Sequence, residues 1–86
     1  KSNENIGRRI EVKKIINGKM HDTDTSEEIY LDENKNRHIF KTMKGNYFLL
    51  YSNGEIVPKT ENEVKELLGL YDADRYIELF GVVEEA

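Results

Sequence analysis

The fold is decided by residues 38–51, which read HIFKTMKGNYFLLY. Residues 38–43 and 47–51 are rich in the branched and aromatic side chains that favour β-strands, and Lys44-Gly45-Asn46 has the composition of a turn. Every residue from 47 to 51 has a large apolar or aromatic side chain, which is typical of a strand buried on both faces. These residues predict a central antiparallel hairpin whose second strand is covered on one side by a helix.

A shorter hairpin is predicted before it. Residues 9–16 alternate partly, with Ile10, Val12 and Ile15 expected on one face, and Asn17-Gly18 is the dipeptide that two-residue hairpin turns prefer. Residues 22–28 combine side chains that cap helices with acids that the first helical amides attract. We therefore expect one or two helical turns near residues 24–31 and a solvated loop over residues 32–36.

The last third predicts an edge strand and two helices. Pro58 confines residues 56–58 to a sheet edge because proline cannot donate a ladder hydrogen bond. Thr60 and Glu63 have the spacing of a capping box. Apolar residues then recur with the helical period, and Gly69 is expected to end the first helix. Asp72 is expected to cap a second helix that Gly81 ends.

These elements predict an α+β domain: a small antiparallel sheet of three or four strands, with a short acidic helix and two C-terminal helices packed on one face. Eighty-six residues suffice for one domain. We place it at residues 9–86, with residues 1–8 as a flexible tail. The absence of Cys excludes disulfides and thiolate metal sites. A small secreted domain usually needs disulfides, so the absence of Cys favours a reducing cytoplasm. No apolar run approaches the roughly 20 residues of a membrane span, and residues 1–5 lack a signal-peptide core.

Catalytic chemistry is not indicated. Only His21 and His38 could act as neutral-pH bases, and neither has a nucleophile motif around it. The six glycines are scattered and form no phosphate-binding loop. The acids from Asp22 to Glu33 partly imitate a calcium loop, but Glu27 stands where the loop requires Gly. We therefore expect a protein that is not an enzyme, with no cofactor and no metal.

Charge is distributed unevenly. Residues 1–20 carry six Lys or Arg against two Glu, and because the whole chain carries −4, residues 21–86 carry −8. Such a balance disfavours general nucleic-acid binding, which needs a basic footprint. An acid run is often only a solvated face. Its functional interpretation is a negative surface, extended by Asp72, Asp74 and Glu78, that occupies a basic groove meant for nucleic acid. The acids expected to contact a protein partner are Asp22, Asp24, Glu27, Glu28, Asp32 and Glu33.

Two alternatives stay open. A regulatory module could contact nucleic acid through the basic residues of the first strand, which are Arg8, Arg9, Lys13 and Lys14. A plain structural or oligomerisation domain would instead use exposed Tyr and Phe side chains. The aromatic central hairpin is interpreted as core rather than as a base-stacking platform, because aromatic strands usually serve a core.

Two segments carry a resemblance. Residues 17–26, NGKMHDTDTS, and residues 40–49, FKTMKGNYFL, are similar to small proteins encoded on phages and mobile elements of Firmicutes. Those proteins commonly read Gly-Lys-x-Tyr-x-Thr-x-Thr-Ala and then Thr-x-x-Gly-x-Tyr-Phe-Leu. Residues 60–64 and 76–85 also fit, whereas His21 and Ser26 depart where Tyr and Ala are usual.

Small acidic proteins of such elements include anti-CRISPR inhibitors, which bind a nuclease and block its guide or target groove. The resemblance therefore implies a role in host defence or element regulation, in the cytoplasm of a bacterial host cell, and it implies no catalytic residues. The leading hypothesis is a non-enzymatic, protein-binding inhibitor. Its specific form is an anti-CRISPR that blocks a Cas9-type nuclease through an acidic surface.

Overall fold

The computed structural model describes residues 11–86 and contains six strands followed by two helices. The strands are β1 (Lys13–Ile16), β2 (Lys19–Asp22), β3 (Glu27–Asp32), β4 (Arg37–Lys41), β5 (Tyr47–Tyr51) and β6 (Ile56–Lys59). The helices are α1 (Glu61–Tyr71) and α2 (Ala73–Phe80). The α+β class is confirmed. The predicted tail 1–8 and the strand residues Arg9 and Ile10 lie outside the described residues.

The strands form two antiparallel sheets. One is the β1–β2 hairpin, and the other is a four-stranded sheet in the order β3-β4-β5-β6. Strand β5 pairs with β4 on one side and with β6 on the other, so its central position is confirmed. Pro58 lies in β6, an edge strand of this sheet, which agrees with the expectation from its missing amide.

Strand β5 is buried on both faces because successive side chains point to opposite sides of the sheet. Tyr47 and Leu49 pack with Ile39 and with Val64 and Leu68 of α1. Phe48 and Leu50 face the other way and pack with Phe40 and Ile56, and this second cluster is covered by Val12 and Ile16. The four-stranded sheet is therefore enclosed between two helices on one face and the β1–β2 hairpin on the other.

The β1–β2 hairpin is held by its turn, by a hydrogen bond between its two flanks and by two contacts to the rest of the chain. Asn17 and Gly18 have φ of 54° and 75°, as a two-residue turn of this kind requires. The Thr23 amide donates to the Val12 carbonyl at 3.0 Å, and the Lys14 ammonium donates to the Gly54 carbonyl at 2.9 Å. The buried His21 ring meets the Phe48 ring edge-on at 5.4 Å. Val12 and Ile16 face the core, whereas Ile15 is exposed, so the expectation that Ile15 shares a face with Val12 is wrong.

The helical turns expected near residues 24–31 are wrong, since residues 27–32 form strand β3. The side chains that suit a helix cap stabilise a turn here instead. The Asp22 carboxylate accepts from the Asp24 amide at 2.9 Å, and the Asp22 carbonyl accepts from the Thr25 amide at 3.3 Å. Asp and Thr bond nearby amides in turns as readily as at helix starts. Tertiary pairing with β4 then makes the acids that follow part of a strand.

The two helices begin as predicted. Thr60 and Glu63 form the reciprocal capping box, and the Asp72 carboxylate accepts from the Arg75 amide at 3.1 Å at the start of α2. Gly81, with φ of 105°, ends α2. The expected end of α1 at Gly69 is wrong, because the helix continues to Tyr71. Both helices pack on the same face of the sheet, as predicted.

The capping box has a measurable stability signature. We expect Thr60→Ala to lower the free energy of unfolding by about 1 kcal/mol, since the Glu63 amide loses its acceptor. Glu63→Ala should also lower the urea midpoint, whereas Glu66→Ala, an exposed acid in the same helix, should not. The hydrogen bond from the Thr60 backbone lowers the pKa of Glu63 below its ordinary value of 4.5.

The sign of the pH dependence follows from that lowered pKa. A carboxyl whose pKa falls on folding stabilises the fold above its ordinary pKa and loses this effect as pH falls. The gap between wild type and Glu63→Ala should therefore be full at pH 7 and shrink in acid below the ordinary value. A gap that is independent of pH would contradict the capping role of the carboxylate.

Enclosure of the sheet by the hairpin can be tested with a matched pair of leucines. Leu50 faces the hairpin and is 1% exposed, whereas Leu70 is 79% exposed. Leu50→Ala should cost about 2–5 kcal/mol of unfolding free energy, and Leu70→Ala less than about 0.5 kcal/mol. Urea denaturation measures both. Equal midpoints for the two variants would mean that the hairpin does not cover this face.

Candidate protein-binding surface

The predicted acid run does not form one face of the molecule. Asp22 and Asp24 lie at the turn between β2 and β3, whereas Glu33 lies in the turn after β3. These turns stand at opposite ends of a six-residue strand, about 17 Å apart at 3.3 Å per residue. Glu27 and Glu28 are consecutive in β3, so their side chains point to opposite faces.

Strand β4 places basic residues against these acids. The register pairs Glu27 with Lys41 and Asp32 with Arg37. His38 Nδ1–H donates to the Glu28 carboxylate at 2.7 Å, and Arg37 Nε donates to Asp32 at 3.2 Å. Residues 37–41, which read RHIFK, therefore set two cations, Arg37 and Lys41, against the six acids of residues 21–34 and compensate part of their charge.

Asp32 has an internal role. It is 6% exposed, and besides the Arg37 contact its carboxylate accepts from the Lys35 amide at 3.3 Å. These bonds fix the turn between β3 and β4. A buried, paired carboxylate cannot also present its oxygens to a partner surface. Of the six predicted contact acids, Asp32 is thus placed as a structural residue.

Helix α2, which carries a second set of acids, is fastened to strand β3 by Arg75. Strand β3 has a bulge between Glu28 and Tyr30, and Arg75 Nε of α2 donates to the carbonyl of the bulged Ile29 at 2.6 Å. Arg75 also binds the Glu78 carboxylate at 2.8 Å. The start of α2 is therefore fastened to the outer edge of β3.

The hydroxyl of Tyr30 is influenced by carboxylates from two elements, strand β3 and the start of α2. Burial raises the pKa of the Tyr30 hydroxyl, and the carboxylates of Asp32 and Asp72 raise it further, with Arg37 opposing them. In the β3–β4 turn, the Lys35 ammonium lies 5.6 Å from the centre of the half-exposed Tyr71 ring.

We call this region the acidic edge. It comprises the β3–β4 turn and the junction of α1 with α2. It contains two tyrosines, a residue type that is enriched in the energetic centres of protein interfaces. The acidic edge consists of Tyr30, Glu33, Tyr71, Asp72, Asp74 and Glu78.

Neither histidine belongs to a reactive cluster. His21 is buried and its Nδ1–H donates to the Lys19 carbonyl at 3.0 Å, while its ring packs on Phe48. His38 is bound to Glu28 and lies beside the Phe40 ring at 6.3 Å. Within residues 11–86, no three His, Asp or Glu side chains are grouped closely enough to hold a metal ion.

The basic residues of the alternative hypothesis are divided. Lys13 is paired in register with Asp22, and Lys14 is bound to the Gly54 carbonyl. As neighbours in strand β1, the two side chains leave from opposite faces. Arg8 and Arg9 lie outside the described residues. The described part of the basic arm therefore does not form one phosphate-binding stripe.

The oligomerisation alternative named exposed Tyr and Phe side chains. Phe40, Phe48 and Tyr47 are buried in the two core clusters, and Phe80 is half-buried against Tyr76. Among the aromatic side chains, Tyr71 is exposed. The other large exposed apolar side chains are aliphatic, and they include Ile15, Met20, Met43, Leu70, Val82 and Val83.

Comparison of the chain with known proteins gave no match to any protein-family model, to any curated protein or to any solved structure. No helix in the described part of the chain is long and apolar enough to cross a membrane.

Sequence reasoning found part of the acidic edge. It named Glu33, Asp72, Asp74 and Glu78 as acids of one surface, but it missed Tyr30 and the anchoring residue Arg75. Tyr30 was hidden because its segment was interpreted as a helix. The only available signal was the isolated Arg75 in an otherwise acidic helix start, and that position does not reveal a bond to a strand 46 residues away.

The internal role of Asp32 predicts a contrast with its neighbour. We expect Asp32→Ala to lower the free energy of unfolding by about 1–3 kcal/mol, because Arg37 and the turn amide lose their acceptor. Glu33→Ala, one residue on and exposed, should change it by less than about 0.5 kcal/mol. Thermal or urea unfolding measures both. Equal stabilities would contradict a structural role for Asp32.

Proposed function

We propose that this protein is a non-enzymatic inhibitor from a phage or mobile element that acts by binding a basic protein surface. Its specific form is an anti-CRISPR protein that blocks a Cas9-type nuclease in the cytoplasm of a bacterial host. The single observation that supports the proposal most is the acidic edge, where the Arg75–Ile29 hydrogen bond and the contact of Lys35 with Tyr71 hold the acidic helix α2 beside the β3–β4 turn.

The geometry of the acidic edge suits recognition of a groove made for nucleic acid. Such grooves present Lys and Arg side chains to phosphates, and carboxylates mounted on a rigid turn and a helix start offer them the same charge. Tyr71 adds exposed aromatic area at the same place. The bond from Arg75 to the Ile29 carbonyl keeps the helix start and the strand edge in fixed relation.

The proposal differs in detail from the six acids first expected. Glu33 remains as a contact residue, and Asp72, Asp74 and Glu78 take the place of Asp32. Asp22, Asp24, Glu27 and Glu28 lie at the other end of β3 or on its other face, where Lys41 and His38 stand beside them. We do not assign those four acids to the centre of the proposed contact.

The nucleic-acid alternative is not favoured by any contact in the described residues. It still has a clear test, since it requires binding without a protein partner. A gel shift with the purified chain should show no complex at moderate salt, and Lys13→Glu/Lys14→Glu should change nothing. A shift that the double variant abolishes would replace the proposal by this alternative.

The inhibitor proposal predicts a charge-specific loss of activity. We expect the chain to inhibit target-DNA cleavage by a guide-loaded Cas9-type nuclease of a Firmicutes host. Reversing two exposed acids of the acidic edge, Glu33→Lys/Asp74→Lys, should weaken inhibition about tenfold or more, because attraction to the groove becomes repulsion. Cleavage assays over a range of chain concentrations measure this.

The matched control is Glu55→Lys/Glu66→Lys, which changes net charge equally at exposed positions outside the acidic edge. It should inhibit nearly as well as wild type. If both double variants lose inhibition equally, only net charge matters and the acidic edge is not the contact. If the wild type inhibits no such nuclease and binds none in a pull-down, the anti-CRISPR form of the proposal fails.

A further inference from the structure

A cleft lies at the opposite end of the sheet from the acidic edge. It opens between the tip of the β1–β2 hairpin and the β4–β5 turn and has a volume of about 470 Å³. We call it the Met–Lys cleft, defined by Lys19, Met20, Thr42, Met43, Lys44 and Asn46. A volume of this size is in the range of clefts that hold peptides or small ligands.

The lining of the Met–Lys cleft is apolar and basic. Met43 is 86% exposed and Met20 is 52% exposed, so two flexible thioether side chains of the cleft face solvent. Methionine is favoured where a surface must adapt to a partner. Lys19 and Lys44 have no ion-pair partner among residues 11–86, and no acid lines the cleft. Its occupant should therefore combine apolar and acidic side chains.

The chain itself contains such a segment directly after α2. Residues 82–85 read Val-Val-Glu-Glu and belong to neither a helix nor a strand. Val82 is 87% exposed and Val83 is 55% exposed, which leaves two branched apolar side chains in water. Their order, two apolar residues followed by two acids, complements two methionines beside two lysines.

Residues 82–85 follow helix α2, which packs on one face of the four-stranded sheet, whereas the hairpin that forms one wall of the cleft covers the other face. Helix α2 ends at Phe80, whose ring lies 6.4 Å from the ring of Tyr47, and Tyr47 follows the cleft residue Asn46 in the chain. Segment and cleft thus stand at the same end of the molecule. A two-fold arrangement that joins two copies by this end would make the contact reciprocal, with each segment at the other copy's cleft.

We propose that this protein forms a reciprocal dimer in which residues 82–85 of each copy dock into the Met–Lys cleft of the other. The valines cover Met20 and Met43, and Glu84 and Glu85 pair with Lys19 and Lys44. The contact is small, so the dimer is weak and forms at high protein concentration. It is separate from the acidic edge and does not depend on the proposed function.

A charge swap tests the dimer and its reciprocal arrangement together. The cleft variant is Lys19→Glu/Lys44→Glu, and the segment variant is Glu84→Lys/Glu85→Lys. Each alone brings like charges together, so its dimer dissociation constant should rise about tenfold or more. Mixed one to one, the two variants should recover wild-type association, because both segments of the mixed pair then meet a cleft of opposite charge.

Sedimentation equilibrium over a concentration series measures all four samples. All four substituted residues are exposed, so folding should be unaffected, and circular dichroism checks this. A wild type that stays monomeric at millimolar concentration overturns the proposal. So does a mixture that fails to associate, which would mean that the segment docks within its own copy or not at all.

The apolar half of the contact has its own matched pair. Met43→Ser should weaken the dimer several-fold, whereas Leu70→Ser, at a similarly exposed leucine of α1, should leave it unchanged. Equal weakening by both substitutions would indicate association through general surface hydrophobicity and would contradict the assigned cleft.

Discussion

Burial of strand β5 on both faces is the constraint on which the rest of the structure depends. A four-stranded sheet with one solvated face would need polar residues at alternate positions of β5, but Tyr47 to Leu50 are buried without exception. Other elements of the chain must therefore cover both faces of the sheet. Helices α1 and α2 cover one, and the β1–β2 hairpin covers the other through Val12, Ile16 and His21. The parallel stacking of Phe40 on Phe48, at 5.2 Å, shows how closely the hairpin side is filled.

The same arrangement protects both edges of the sheet. Strand β6 carries Pro58, and strand β3 carries the bulge at Ile29, whose carbonyl is occupied by Arg75. Proline, bulges and covering side chains are devices that prevent strand addition at an edge. A partner therefore has little free backbone to pair with along these strands. The two proposed contacts, the acidic edge and the Met–Lys cleft, accordingly consist of side chains, many of them on turns and in helix α2.

Local signals predicted most of the fold, and tertiary pairing explains what they missed. Asn17-Gly18, Pro58 and the Thr60–Glu63 box act over a few residues, so their meaning is readable from the chain alone, and the structure confirms all three. Residues 24–31 carried local signals that suit a turn and a helix start equally. Their strand conformation comes from pairing with residues 37–41, which local capping rules do not see.

The candidate surface was harder to predict for a related reason. The six acids are close together in the sequence. In a strand, however, consecutive side chains point to opposite faces, and residues at the two ends lie far apart. Pairing then set Arg37, His38 and Lys41 against them. The Arg75 bond across 46 residues fastens the acidic helix α2 to strand β3, which leads into the turn that carries Glu33. A run of charged residues in the sequence therefore predicts that the surface is acidic better than it predicts where on the surface the acids lie.

The sheet also determines how the two proposed contacts relate. Strand β4 runs from the acidic edge at Arg37 to the Met–Lys cleft beyond Lys41, a distance of about 13 Å. Contacts at opposite ends of a rigid strand do not compete for the same surface. A dimer joined through the cleft end directs its two acidic edges outward. Such a dimer is bivalent, and on a partner with two basic sites the second contact forms at a high effective concentration without any new interaction.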